Sequence, residues 1–452
     1  MKRTLSLLAG MFSLLSLLAP GAAADVTLPN VLASQMVLQR DVPLNVWGTA
    51  DAGEAVSVTL GKQTVKTAAN DQGAWQVQLK AQKADGKPRT ITVTGNNTLV
   101  LEDVLVGEVW IGSGQSNMEW QLTSSQDAPK AIAAAGNANI RLFHVPKVQA
   151  GEPATDINAK WKACTPENIP AFSAVLYYFG RHLQQELDLP IGLINSSWGG
   201  SPIEPWTIAD GKSGGMYNAM IAPLTRFAVQ GSIWYQGETN VLQKNGLAYA
   251  GKMKDLITGW RTAFADEGHA FYFVQIAPWQ GSYEAGQLPA LWEAQVETLK
   301  IPGTGMAVTT DLVDNIRDIH PRNKVDVGER LALWALTKSY GKKGIIYSGP
   351  LYESMKVEGN RIRLSFAHTG SGLKSRDEKP LSEFQVAGAD GNFVAAEATI
   401  DGHTVLIHSS DVAAPEQVRF GWHAITNPNL VNSAGLPASP FQTKDWRGGN
   451  GK

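Results

Sequence analysis

From residue 104 to about residue 340, short apolar runs alternate with longer stretches of helical period, and few architectures accommodate such a pattern. The run from Val104 to Ile111 reads as a strand buried on both faces, and similar short strands are expected at Ile191 to Asn195, Ser232 to Tyr235, Ala270 to Ile276 and Met306 to Thr310. Between them, Leu176, Phe179, Leu183 and Leu187 recur at helical spacing, with Arg181, Gln185 and Glu186 on the other side. The spacing predicts a helix from about Ser173 to Leu187, stopped by Pro190, and further helices over about Leu247 to Phe264 and Lys324 to Tyr340. Five strands alternating with helices predict a three-layer α/β/α domain around a mostly parallel sheet.

Both flanks follow a different rhythm. From Val26 to about Asn97 the chain runs in short alternating segments such as Val56-Ser57-Val58-Thr59-Leu60, separated by Gly, Asp and Asn turns. A β-sandwich is expected over residues 25–103, the catalytic-type α/β domain over 104–343, and a second β-rich domain over 344–452. Residues 1–24 have the form of a processing signal: Lys2 and Arg3, an apolar stretch from Leu5 to Leu18, then Ala22-Ala23-Ala24 as a cleavage site. That stretch is shorter than the roughly 20 residues a bilayer-crossing helix needs. Export to the periplasm or medium, with cleavage near Ala24, is the expectation, and no stable membrane insertion.

Charge narrows the partners. With 39 Lys and Arg against 41 Asp and Glu, the formal charge is -2, and no basic run offers a track for phosphate backbones. Nucleic acid is therefore not an expected partner. The single cysteine, Cys164, has no partner in the chain for a disulfide and reads as a small buried hydrophobe.

In an open α/β sheet, ligands sit beyond the carboxyl ends of the strands. Four segments there stand out: Gly114-Gln115-Ser116-Asn117-Met118, Ser197-Trp198-Gly199-Gly200, Tyr235-Gln236-Gly237-Glu238-Thr239-Asn240 and Asp318-Ile319-His320-Pro321. Ser116, after a buried strand and a tight turn, is placed either as a nucleophile or as a helix N-cap. A serine nucleophile needs a base, and of the eight histidines only His320 follows the last strand of the expected sheet. Gly199 or Gly200 can supply an open backbone N–H and Gln236 a side-chain amide for an oxyanion, although such glycines also serve tight turns. Asn117, Glu238 and Trp198 are candidates for contact with substrate, and for Glu238 the favoured reading is that it braces its own loop through backbone N–H groups. Trp120 and Trp206, like Trp198, lie near the motifs as stacking faces for sugar rings, although packing is the first reading for each taken singly. No histidine pair has metal-ligand spacing such as His-Glu-x-x-His, so neither a catalytic metal nor any other cofactor is expected.

Taken in order, Val106-Gly107-Glu108-Val109-Trp110 leading into Gly-Gln-Ser-Asn-Met-Glu-Trp, then Asn195 to Gly200, then Trp234 to Glu238, then Asp318 to Pro321, the chain resembles the sialate O-acetylesterase family, a branch of the SGNH hydrolases. The likeness extends to Met36-Val37-Leu38-Gln39-Arg40 and to Gly435-Leu436-Pro437-Ala438-Ser439-Pro440-Phe441. It implies an SGNH-type α/β/α domain flanked by β domains, and serine-dependent removal of O-acetyl groups from a sugar or glycan. It also implies Ser116 as nucleophile, His320 as base, and the Ser116 N–H, a glycine of Gly199-Gly200 and Gln236 as oxyanion donors. The wider superfamily commonly sets an Asp three residues before the His, where this chain has Arg317. Asp318 is the candidate orienting residue, with Asp314, Asp311 or a Ser-His dyad as alternatives. Sialic acid and acetylated xylan or another plant polysaccharide are the acetyl carriers weighed, and a non-catalytic glycan-binding protein is the competing class. The oligomeric state is not legible.

Overall fold

The computed structural model describes residues 25–443. The processing segment expected over residues 1–24 lies outside the described residues.

Seven strands form the central sheet: β1 (Thr98–Gly114), β2 (Asn137–His144), β3 (Trp161–Cys164), β4 (Ile191–Ser197), β5 (Gly231–Tyr235), β6 (Ala270–Val274) and β7 (Thr304–Ala307). They lie in the order β7-β6-β5-β1-β4-β2-β3, parallel throughout except for the edge strand β3, which runs antiparallel to β2. The helices are α1 (Ser116–Glu119), α2 (Ala128–Ala133), α3 (Ala174–Leu187), α4 (Gly215–Met220), α5 (Glu238–Leu242), α6 (Tyr249–Ala263), α7 (Gln287–Thr298) and α8 (Lys324–Lys338). α3 forms where its apolar period predicts: the Ser173 hydroxyl accepts the Leu176 N–H at 3.2 Å, Leu176, Phe179 and Leu183 are fully buried, and Asp188 closes the helix in a left-handed turn. It packs against α8, and α6 packs against α7.

The parallel part of the sheet has six strands, one more than the five expected. The addition is β2, whose apolar pattern is broken by Arg141. That arginine is buried in the strand, and Asp103 takes its guanidinium in a two-pronged bond of 2.8 and 3.0 Å. A charged residue whose partner lies 38 positions away leaves no local sign of a buried strand.

β1 joins two regions. Its first half pairs antiparallel with Arg89–Thr94 of the leading β-rich region, and its second half lies between β4 and β5. The boundary expected between residues 103 and 104 thus falls inside one continuous strand, and a single apolar core runs through both parts. Val37–Gln39 adds to the same strand in parallel. Gln39 donates to the buried Glu108 carboxylate at 2.8 Å, and Arg40 pairs with its other oxygen. The Met36 to Arg40 segment is therefore a structural clasp. The trailing β-rich region has its own apolar cluster, built on Ile362, Leu364, Phe420 and Phe441, and reaches the central sheet where Gln275, just past β6, donates to Ser439 at 2.8 Å.

Cys164 is buried, donates to the Ala135 carbonyl at 3.1 Å, and has its thiol pushed up to about 12 by burial. Among the described residues no helix is long and apolar enough to cross a membrane.

Candidate active site

β1 is the strand at which the chain changes direction across the sheet, with β4 on one side and β5 on the other. Such a switch point opens a crevice at the carboxyl ends. Gly114 pairs in register with Ser197 of β4 and Tyr235 of β5, so the three motif-bearing turns leave the sheet at one level. Gly114 has φ +131°, and a Cβ there would lie 2.2 Å from the Tyr235 carbonyl oxygen. Only glycine lets β1 bend at that point.

Gln115 takes the N-cap position of α1, and Ser116 is its first helical residue. Of the two readings of Ser116, the cap is thereby removed. Its Oγ lies 2.9 Å from His320 Nε2, although 204 positions separate the two residues. His320 stands on the loop between β7 and α8. Asp318 Oδ1 lies 3.3 Å from His320 Nδ1 and accepts the His320 backbone N–H at 2.9 Å. The other two aspartates weighed are committed elsewhere: Asp314 binds Arg322 at 2.7 Å, and Asp311 clamps Arg330 with two bonds of 2.7 Å. The Trp120 ring stacks on the imidazole, 4.7 Å between centroids and 20° between planes. Trp120 thus supports the histidine. Burial, then the Lys324 charge, hold the His320 imidazole below its ordinary range, against an upward pull from Asp318.

The expected oxyanion donors divide. Gly199 packs against the nucleophile, since a Cβ on it would lie 3.4 Å from Ser116 Cβ, but its N–H donates to Glu119 Oε2 at 2.6 Å, and Lys147 pairs with the other Glu119 oxygen. Gly200 is exposed, with φ +75°. Gln236 does not face the cleft as anticipated. It is fully buried, its amide lies within bonding range of Asn240 Oδ1 at 2.8 Å, Gln115 Oε1 at 3.1 Å and the Ser201 carbonyl at 3.3 Å, and its oxygen accepts from Tyr249 at 2.7 Å. An amide with two hydrogens and three internal acceptors has none left for an incoming oxygen.

Asn117 and Glu238, anticipated as substrate contacts, are 0% and 3% exposed. Asn117 Nδ2 donates to Glu238 Oε1 at 2.6 Å and to the Ile319 carbonyl at 3.1 Å. Its Oδ1 accepts from Lys324 Nζ at 2.5 Å. Burial pushes the Glu238 carboxyl up and the Lys324 ammonium down to about 7. Lys324 went unremarked in the sequence, where a lysine at the head of a helix reads as surface. Its distance of four residues from His320 was the available signal. Trp198 is half-buried, whereas Trp206 is fully buried with its indole N–H on Ser201 Oγ at 3.0 Å and offers no open face.

The arrangement is chemically simple. A half-exposed hydroxyl faces an imidazole poised to be neutral, beside Gly199 and above a buried polar floor, which suits nucleophilic attack on an ester. Comparison with known proteins agrees. Residues 106–337 match the family model for carbohydrate esterases described as sialic acid-specific acetylesterase. The chain is 31% identical to human sialate O-acetylesterase over 78% of its own length and 81% of that protein's. It is 30% identical to the rat sialate O-acetylesterase, covering 94% and 95%. In three dimensions it is similar to a carbohydrate acetylesterase from Xanthomonas citri, at 40% identity and a TM-score of 0.90, covering 93% of this chain and all of that one. Motifs, fold and relatives converge, and the chain belongs to the sialic acid-specific acetylesterase family of carbohydrate esterases.

Proposed function

We propose that this protein hydrolyses O-acetyl esters on sugars through a serine acetyl-enzyme, with sialic acid as the acetyl carrier, on an SGNH-type three-layer domain, after export. The observation that carries the reading is the 2.9 Å contact between Ser116 Oγ and His320 Nε2 at the switch point of the sheet. The sialate carrier follows the names of the human and rat relatives; the Xanthomonas citri relative is named for carbohydrate in general, and an acetylated plant polysaccharide stays as the second reading.

In the first half-reaction, neutral His320 accepts the Ser116 proton at Nε2 as Oγ attacks the acetyl carbonyl. Asp318 faces Nδ1 and favours the tautomer that leaves Nε2 free to accept. The developing oxyanion is assigned to the Ser116 and Gly200 N–H groups, with Gly199 joining when Glu119 gives way. The C–O bond to the sugar then breaks, and the sugar oxygen takes the proton from His320. Water repeats the sequence on the acetyl-enzyme: His320 takes its proton, acetate leaves, and the proton returns to Ser116.

The deciding experiment follows acetate release from an aryl acetate and from O-acetylated sialosides and acetylated xylan. Ser116→Ala is expected to lose activity by ~10,000-fold or more while its thermal midpoint stays within a degree or two of the parent. Undiminished turnover in that variant defeats the mechanism. Acetate release from xylan but not from sialosides moves the substrate to the second reading.

A further inference from the structure

Directly behind Ser116 and His320 lies a pair of ionisable groups that ester hydrolysis does not require. Lys324 is fully buried and Glu238 nearly so, and both meet the side chain of Asn117, the residue after the nucleophile. Lys324 is also the first residue of α8, where the positive end of the helix dipole disfavours a cation. A lysine in that position carries two costs, desolvation and dipole repulsion, and only local contacts offset them. Those contacts are the Asn117 oxygen at 2.5 Å, the ring of Tyr235 at 5.3 Å and the ring of Trp120 at 5.7 Å, with attraction from the Glu238, Asp314 and Asp318 carboxylates beside them.

We infer that Lys324 is a positioning residue for the Ser116–His320 pair, fixing the Asn117 amide that ties the nucleophile turn to the histidine loop and setting a positive charge one aromatic ring away from the imidazole. This rests on the esterase reading of Ser116 and His320. The geometry gives it two parts. Asn117 has its oxygen on Lys324 and its amide on Glu238 and on the Ile319 carbonyl, next to His320, so one side chain of α1 joins the heads of α5 and α8 to the histidine loop. Trp120 lies against both His320, at 4.7 Å, and the Lys324 ammonium. The charged groups facing His320 are Lys324, which disfavours the imidazolium, and Asp318, which favours it. Those facing Lys324 are Glu238, Asp314 and Asp318. Glu238 Oε2 is buried without a hydrogen-bond partner, so the carboxyl is held by Asn117 on one oxygen only.

The sign follows from the base being neutral imidazole. Below about pH 7 Lys324 is protonated, and its charge keeps His320 unprotonated further into acid. Removing that charge lets His320 protonate earlier, and the acid limb of kcat/KM moves to higher pH. In the full chain, Lys324→Met is expected to lower kcat for an aryl acetate by ~10- to 100-fold with KM within about 2-fold, and to raise the acid limb by about half a pH unit or more. Glu238→Gln keeps an acceptor for Asn117 but removes the counter-charge, so Lys324 gives up its proton more readily and the limb rises in the same direction. Glu238→Gln answers the question if Lys324→Met does not fold. A folded variant of either kind with the parental limb overturns the inference, because a merely structural role lowers stability or kcat without moving a titration. Aryl acetate turnover indifferent to Ser116→Ala in an otherwise parental chain instead defeats the esterase reading beneath it.

Discussion

The rim of the site and its floor are built from neighbouring residues of the same motifs and behave in opposite ways. Ser116, His320 and Asp318 on the rim are half-exposed and few contacts join them: one between Ser116 and His320, and two from a single Asp318 oxygen to His320. Asn117, Gln236 and Lys324 directly below are buried, with their polar atoms engaged by three or four partners each. Reactive groups need access and freedom to exchange protons, whereas the geometry between them must be held without reorganisation during the reaction. The division of labour runs along the sequence itself: Ser116 reacts and Asn117 anchors, His320 reacts and Lys324, four residues on at the head of α8, holds. Motif residues are thus selected by two separate demands.

Substitutions on the two levels should separate activity from stability. The largest effect after loss of the nucleophile is expected for His320→Ala, with kcat/KM for an aryl acetate down by ~1,000- to 10,000-fold and an unchanged unfolding midpoint. A large loss of stability there erases the distinction, because the imidazole then belongs to the floor. Gln236→Ala is the mirror test. It takes one donor from the Asn240 and Gln115 side-chain oxygens and one acceptor from the Tyr249 hydroxyl, each of which keeps a backbone partner, a cost of about 1–3 kcal/mol, seen as a fall of a few degrees in the thermal midpoint. Loss of turnover by ~100-fold or more at an unchanged midpoint instead returns Gln236 to the oxyanion and moves it to the rim.

How much of this was legible depends on what each feature leaves in the chain. The parallel sheet declared itself because β4, β5, β6 and β7 are runs of residues buried on both faces. β2 did not, because Arg141 is made tolerable by Asp103, which no local pattern reveals. Ser116 and His320 were found from their places after strands, since chemistry at a sheet edge constrains position. Asn117, Glu238 and Gln236 stand in the same motifs, yet the sequence offers Asn117 to substrate, Gln236 to the oxyanion and Glu238 to either substrate or its own loop, because polar residues beside a nucleophile look alike whether they face the cleft or lie beneath it. Their burial depends on long-range contacts such as Asn117 with Glu238, 121 positions apart, and Asn117 with Lys324, 207 apart. The Met36 to Arg40 motif likewise carries no sign that Gln39 and Arg40 close on Glu108.

The smallest expected effect is on the rim, and it tests how loosely that level is held. In a tightly buried triad, the loss of the orienting carboxylate costs ~10,000-fold. Asp318 is a different case. Its side chain is 45% exposed, its Nδ1 contact is long at 3.3 Å, and the same oxygen also accepts the His320 backbone N–H. Water competes for such a carboxylate and screens its charge. Asp318→Ala is therefore expected to lower kcat/KM by only about 10-fold, with His320 still held by Trp120 stacking and by the bond from Asn117 to Ile319. The direction of the pH effect is the sharper observation. Asp318 favours the charged imidazole, so its loss lowers the His320 titration and carries the acid limb to lower pH, opposite to the shift expected for Lys324→Met. Paired profiles of the two variants read the field on His320 from both sides. A limb that moves the same way in both leaves rim and floor acting on the imidazole through its position alone, with neither charge setting its titration.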